Sequence, residues 1–85
     1  MQENIKHFVY IAQSEKFATE IYKGYTVNVD ERIIEHNLGQ SKHTNKCKPW
    51  KIVFFCGFED KKKALAFEKY LKSGSGRAFT NKRLI

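Results

Sequence analysis

The residues of this chain that could do chemistry are a glutamate on the inward side of one helix, an arginine and a histidine one turn apart on another, and three tyrosines in strand-like segments. Over Lys61 to Lys72, the apolar residues Ala64, Phe67 and Leu71 recur at helical spacing. At 100° per residue, Glu68 falls about 40° from Ala64, on or beside that apolar stripe. A carboxylate there is costly unless it is paired or binds a cation. Glu68 is therefore a border residue reaching out to solvent or a lysine, or it is a cation ligand. On the helix that follows Asn28, Arg32 and His36 stand at i and i+4 and share a side. His36 lies about 20° from Val29, on the apolar face itself. A histidine there is a satisfied core residue or an acid–base group, and the nearby arginine favours the second. Tyr10, Tyr22 and Tyr25 would ordinarily be core residues with their hydroxyls at the rim. The arginine, the histidine and the glutamate could line one cleft.

Positioning these residues requires elements from all along the chain. Ile5 to Ala12 sets Phe8 and Tyr10 against Val9 and Ile11, apolar or aromatic on both sides, as in a strand covered on both faces. Thr19 to Tyr25 alternates again, and Gly24 marks a point of close backbone approach. The two segments are expected to form a hairpin. Asn28 is a strong helix N-cap with Glu31 three residues on. Val29, Ile33, Ile34 and Leu38 are assigned to that helix's apolar face, and Gly39 is placed to close it. Residues 40–49 read as a polar, basic loop. Trp50 to Cys56, nearly all apolar, is expected to be an internal strand. Asp60 can cap the helix Lys61 to Lys72, Ser73 to Gly76 breaks it, and Ala78 to Leu84 adds a short terminal helix. The order ββαβα(α) predicts an α+β domain with a three-stranded, mainly antiparallel sheet flanked by helices.

With 85 residues, the chain is read as a single domain over 1–85. Its longest apolar run, Ile52 to Cys56, is far short of the ~20 residues that span a bilayer. The N-terminus has no signal pattern. Cys47 and Cys56 fit no zinc spacing and no disulfide framework. These features point to a soluble, intracellular protein without a structural metal. Sixteen basic and nine acidic residues give a formal charge of +7. The imbalance is one-sided: residues 1–40 hold four basic and six acidic residues, residues 41–85 twelve and three. Such asymmetry suggests a polyanionic partner, nucleic acid first and a membrane surface second.

In combination these residues resemble the GIY-YIG nuclease superfamily, in particular its short stand-alone bacterial members related to the N-terminal nuclease domain of the UvrC repair protein. Phe8-Val9-Tyr10 stands where the first signature strand would be. Tyr22-Lys23-Gly24, followed by Tyr25-Thr26, stands at the second. Asn28 to Asn37 is similar to the family's arginine- and histidine-bearing helix, and Ser41 to Thr44 with Lys48-Pro49-Trp50 to its loop into the third strand. Ala64 to Lys72 is similar to its glutamate-bearing helix. The resemblance covers roughly residues 5–85. Phe8 replaces the first signature glycine and Lys23 the middle isoleucine of the second motif, and neither change removes a catalytic group. Asn81 is the candidate for the late asparagine of larger members.

The resemblance implies a metal-dependent endonuclease acting on DNA ahead of RNA. Glu68 would be the single protein ligand to Mg²⁺ or Mn²⁺, and Arg32 would steady the phosphate. Tyr10 and Tyr22 would handle the nucleophilic water, with Tyr25 and His36 as flanking polar groups. An ordinary tyrosine titrates near ~10 and an ordinary histidine near ~6.5, so His36 is a rival base. Lys42, Lys46, Lys48, Lys72 and Arg77 are the expected phosphate contacts, with Lys61 to Lys63 as further candidates. A chain of this length has no room for a separate recognition domain, so low sequence specificity is expected. A cytoplasmic protein, taken as a monomer without a membrane partner, completes the reading. The alternatives are a nucleic-acid-binding module of the same fold without turnover and a protein-interaction domain with a basic face.

Overall fold

The computed structural model describes residues 4–39 and 42–85, with the side chains of residues 42 and 43 outside the description. Its strands are β1 (His7–Ser14), β2 (Ile21–Thr26) and β3 (Trp50–Phe58). Its helices are α1 (Val29–Asn37), α2 (Lys42–Asn45), α3 (Lys61–Leu71) and α4 (Gly74–Phe79), which runs into a π-helical turn over Thr80–Leu84. The sheet has the order β2-β1-β3, and both pairings are antiparallel.

The central strand carries the double-sided pattern expected of it. Val9, Tyr10, Ile11 and Ala12 are all buried. Alternation sends Val9 and Ile11 to one face, against Ala64 and Leu71 of α3. Tyr10 and Ala12 go to the other, where they pack with Trp50, Tyr22 and Ile33. The sheet is thus sandwiched between α1 on one side and α3 on the other. A bulge opposite Ile11 and Ala12 leaves Val53 without a ladder partner, so Val53 and Phe54 both pack towards the α3 side.

Four sequence expectations are corrected. β3 is an edge strand: most of its apolar residues pack into the clusters on the two faces, with Phe55 57% exposed, but β1 holds the middle position. Apolar composition reports covered faces, not the number of strand neighbours. Ile34 and Leu38 do not belong to the inner face of α1 and are 57% and 66% exposed. At 100° per residue they lie about 140° and 180° from Val29, whereas Ile33 and His36 lie on its side. The basic loop contains the short helix α2. Ser73 to Gly76 does not merely end α3: the Ser73 hydroxyl accepts from Gly76 N–H and caps α4. Gly76 is buried where α4 turns back, and a Cβ there would collide with the Tyr70 carbonyl oxygen.

The caps expected for the two long helices are present. Asn28 Oδ1 accepts from Glu31 N–H, and Asp60 Oδ1 from Lys62 N–H. Gly39 ends α1 with φ +80°, a conformation open to glycine. Asn37 then ties the end of α1 to the start of β3, its side-chain amide donating to Trp50 O and its oxygen accepting from Trp50 N–H. These bonds fix the rotation of α1 that turns Arg32 and His36 towards the sheet.

Candidate active site

The register of β1 and β2 builds the first half of the site. Tyr10 pairs with Gly24 and Ala12 with Tyr22, so both tyrosines rise from the face that α1 covers. The Tyr10 ring leans across Gly24, and a Cβ at Gly24 would come within 2.7 Å of the Tyr10 hydroxyl. The close approach expected at Gly24 is therefore made by a tyrosine side chain. The Tyr10 and Tyr22 ring centroids are 6.1 Å apart.

α1 supplies the second half. His36 is fully buried, with Nε2 2.9 Å from the Tyr10 hydroxyl and Nδ1 2.9 Å from Thr44 Oγ1. Its ring also meets Tyr22 edge-on at 4.8 Å. Arg32, one turn earlier, bonds Glu35 at 2.9 Å and interacts with the hydroxyls of both tyrosines. A guanidinium only donates. It therefore acts on the tyrosine oxygens as a nearby positive charge and donor. His36 thus has both ring nitrogens in hydrogen bonds, one with the Tyr10 hydroxyl and one with the Thr44 hydroxyl.

Electrostatics follow this packing. Burial first, then Tyr22 and Glu68, push the Tyr10 hydroxyl up to about 12, against the opposing pull of Arg32. Burial and the Arg32 charge lower the pKa of His36, so the ring is neutral near pH 7, with Glu35 pulling weakly the other way. Burial would also lower Arg32, but Glu35 and the two tyrosine oxygens outweigh it and leave its pKa raised.

Glu68 comes to the site from the opposite layer. It is on α3, half-buried, and close enough for its charge to act on Tyr10. Lys72, four residues on, holds its carboxylate at 3.2 Å, with the lysine side chain 54% exposed and the glutamate 20%. Among the described residues, no three of His, Cys, Asp and Glu gather into a metal cage. A lone, partly exposed carboxylate suits a hydrated Mg²⁺, which keeps several waters and takes one or two carboxylates beside a substrate phosphate.

The structure therefore brings Tyr10, Tyr22, Arg32 and His36 into one cluster with Glu68 nearby. Tyr25 is not brought there. It pairs with Val9, which turns its side chain to the α3 face, where its hydroxyl bonds His7 Nδ1 at 2.8 Å and Lys61 lies over its ring. A residue one position from Gly24 must face away from the cluster that Gly24 serves. Among the basic residues, Lys46, Lys48, Lys72 and Arg77 are exposed, and the side chain of Lys42 lies outside the described residues. Of the cluster's supports, Glu35 was missed, although its i, i+3 spacing from Arg32 was the signal that could have found it. Thr44 carried no periodic signal, because its contact with His36 is made by the chain's return through α2.

The comparisons with known proteins agree with this geometry. Residues 6–83 match the family model described as the GIY-YIG catalytic domain, and the chain belongs to that family, one of nucleases acting on nucleic acid. Among its relatives, a UPF0213 protein of Haloquadratum walsbyi is 37% identical over 71 residues, 82% of this chain and 78% of that protein. A UPF0213 protein of Staphylococcus haemolyticus is also 37% identical over 71 residues, covering 82% and 84%. The solution NMR structure of a UPF0213 protein from Bacillus halodurans superimposes with a TM-score of 0.54 at 29% identity, covering 92% of this chain and 85% of that one. The short stand-alone relatives and the α+β architecture agree with the resemblance drawn from the motifs.

Proposed function

We propose that this protein is a divalent-metal-dependent endonuclease that hydrolyses phosphodiester bonds in DNA with low sequence specificity, in the cytoplasm. The observation that carries the reading is the convergence of Tyr10, Tyr22, Arg32 and His36 from two strands and a helix, with the Glu68 charge reaching Tyr10 from another helix. Phosphodiester hydrolysis adds negative charge to a group already anionic, and a cation placed at that charge lowers the barrier. Arg32 is that fixed cation, held in place by Glu35. Glu68 is the residue that would hold Mg²⁺ or Mn²⁺, which supplies Lewis-acid stabilisation of the phosphate and a more acidic bound water.

Burial supports a division of the other roles. Tyr10 is 1% exposed and stays protonated, and His36 has both ring nitrogens engaged. Neither can meet water directly. Tyr22 is only partly buried and borders an open groove. Tyr22 therefore orients the attacking water through its hydroxyl, beside Arg32. Tyr10 and His36 are positioning residues that fix Arg32 and the Tyr22 ring.

The test is incubation of the full chain with supercoiled plasmid and Mg²⁺ or Mn²⁺, in parallel with chelator. Metal-dependent nicking is expected. A salt-sensitive mobility shift without nicking would replace this reading with the binding module.

A further inference from the structure

A groove of about 490 Å³ opens beside Tyr22, between β2 and the C-terminal helices. Three cations line it: Lys23 from β2, Lys72 from the end of α3 and Arg77 from α4. Glu20 is the one carboxylate in its lining, and Arg77 and Lys23 have no ion-pair partner among the described residues. Lys23 donates to the Leu71 carbonyl at 2.7 Å, which holds its ammonium group over the end of α3. Its pKa is lowered by burial and by the neighbouring Arg77, so two like charges stand close together, neither in an ion pair among the described residues. Thr80 and Asn81 complete the lining. Thr80 is 1% exposed, and its hydroxyl oxygen has no hydrogen-bond partner among the described residues. A helical threonine hydroxyl can bond back to a carbonyl of the preceding turn, and this one does not.

We propose that this groove is a phosphate subsite: it receives a backbone phosphate of the strand that lies across Tyr22, held by Arg77 and Lys23. The inference rests on the nuclease reading and extends it, since it places the flanking strand on the β2 side of the cleavage site. Lys72 links the two places, because its ammonium group holds Glu68 while its side chain borders the groove. Asn81 is thereby placed with the strand, not with the tyrosine cluster. A phosphodiester is the fitting occupant because the groove is continuous with Tyr22 and open along its length. A free phosphate ion would present the same oxygens, and the test separates the two.

The experiment measures binding of a labelled DNA oligonucleotide by the full chain in chelator, where cleavage does not interfere. Wild type and Arg77→Gln are compared across a salt series. Arg77→Gln should weaken binding and reduce the log–log salt slope by about 0.7 to 0.9, the value for one lost phosphate contact. A scan of single methylphosphonate substitutions should find a position that weakens the wild type and leaves Arg77→Gln unaffected. An Arg77→Gln slope equal to wild type, with the same methylphosphonate profile, overturns the subsite and leaves the nuclease reading standing if plasmid is still nicked with Mg²⁺. Inorganic phosphate that raises Tm in wild type but not in Arg77→Gln, without competing with DNA, makes the groove a free-anion site and overturns the proposal. Absence of any DNA or RNA binding by the wild type overturns both readings.

Discussion

Deleting the Tyr10 hydroxyl removes the partner of a buried histidine nitrogen. In Tyr10→Phe, Nε2 of His36 loses its hydrogen-bond partner, and a buried unsatisfied polar group costs about 1–3 kcal/mol. In Tyr22→Phe the hydroxyl lost is on a partly exposed side chain, and the cost is about 0.5 kcal/mol or less. Activity should follow the reverse order. Tyr22→Phe should lose metal-dependent nicking while keeping a near-native denaturant midpoint, and Tyr10→Phe should lower the midpoint and retain more cleavage. Equal nicking by wild type and Tyr22→Phe would remove Tyr22 from the water. His36 gives an acid-side signature of the same packing. The fold holds it neutral below the pH at which an unfolded histidine protonates, near ~6.5. Between those two pKa values the unfolded chain binds more protons. Stability therefore rises with pH across that window, and it is lost as pH falls below about 6.5. Denaturant midpoints at pH 7.5 and 5.5 should differ more in wild type than in His36→Gln, which lacks this contribution. An identical difference in both would mean that His36 titrates normally.

At the scale of elements, the glycines of the C-terminal region separate geometry from composition. Gly74 and Gly76 look alike in the sequence, as parts of a breaker. In the fold, nothing lies within 4 Å of a Cβ built at Gly74, whereas one at Gly76 would meet the Tyr70 carbonyl and Leu71 Cα. Gly74→Ala should stabilise by about 0.4–1 kcal/mol by restricting the unfolded chain. Gly76→Ala should destabilise by about 1–3 kcal/mol or more, because helix backbone must move. Opposite shifts in Tm are expected, and a Gly76→Ala protein that melts like wild type would contradict the close approach. The same contrast explains what the sequence could and could not reveal. Caps, the two-sided β1 and the stripe of Ala64, Phe67 and Leu71 are local, and they were legible. The edge position of β3 was not, because helices covering both faces give the same apolar pattern as flanking strands. The outward turn of Ile34 and Leu38 was present in the 100° arithmetic and obscured by residue type. In the site, motif order brought together Tyr10, Tyr22, Arg32 and His36. Tyr25 was misplaced because adjacency in sequence is opposition in a strand. The Thr44 contact and the groove around Thr80 arise from tertiary return of the chain and have no sequence period.

Across the whole molecule, twelve of sixteen basic residues follow position 40, and Glu68 is one of only three acidic residues in that half. Its charge therefore does two opposed things. It is placed to hold a metal ion, and it subtracts from the positive field that attracts the strand. Its pairing with Lys72 sets the stability cost of removing it. A fully buried pair broken on one side costs about 3–5 kcal/mol. This pair is an i, i+4 contact with a half-exposed lysine, of the kind worth about 0.3–0.5 kcal/mol. Glu68→Gln should thus melt close to wild type. It frees Lys72 and raises the formal charge from +7 to +8, so in chelator its DNA affinity should equal or exceed that of wild type. With Mg²⁺ or Mn²⁺ the same variant should not nick plasmid. Unchanged folding, undiminished binding and lost cleavage are expected together, measured by thermal melting, anisotropy titration and a plasmid assay on one preparation. If Glu68→Gln still nicks, Glu68 is not the metal ligand. If it melts several kcal/mol lower, the carboxylate is a structural counter-charge, and the metal must be sought elsewhere in the molecule.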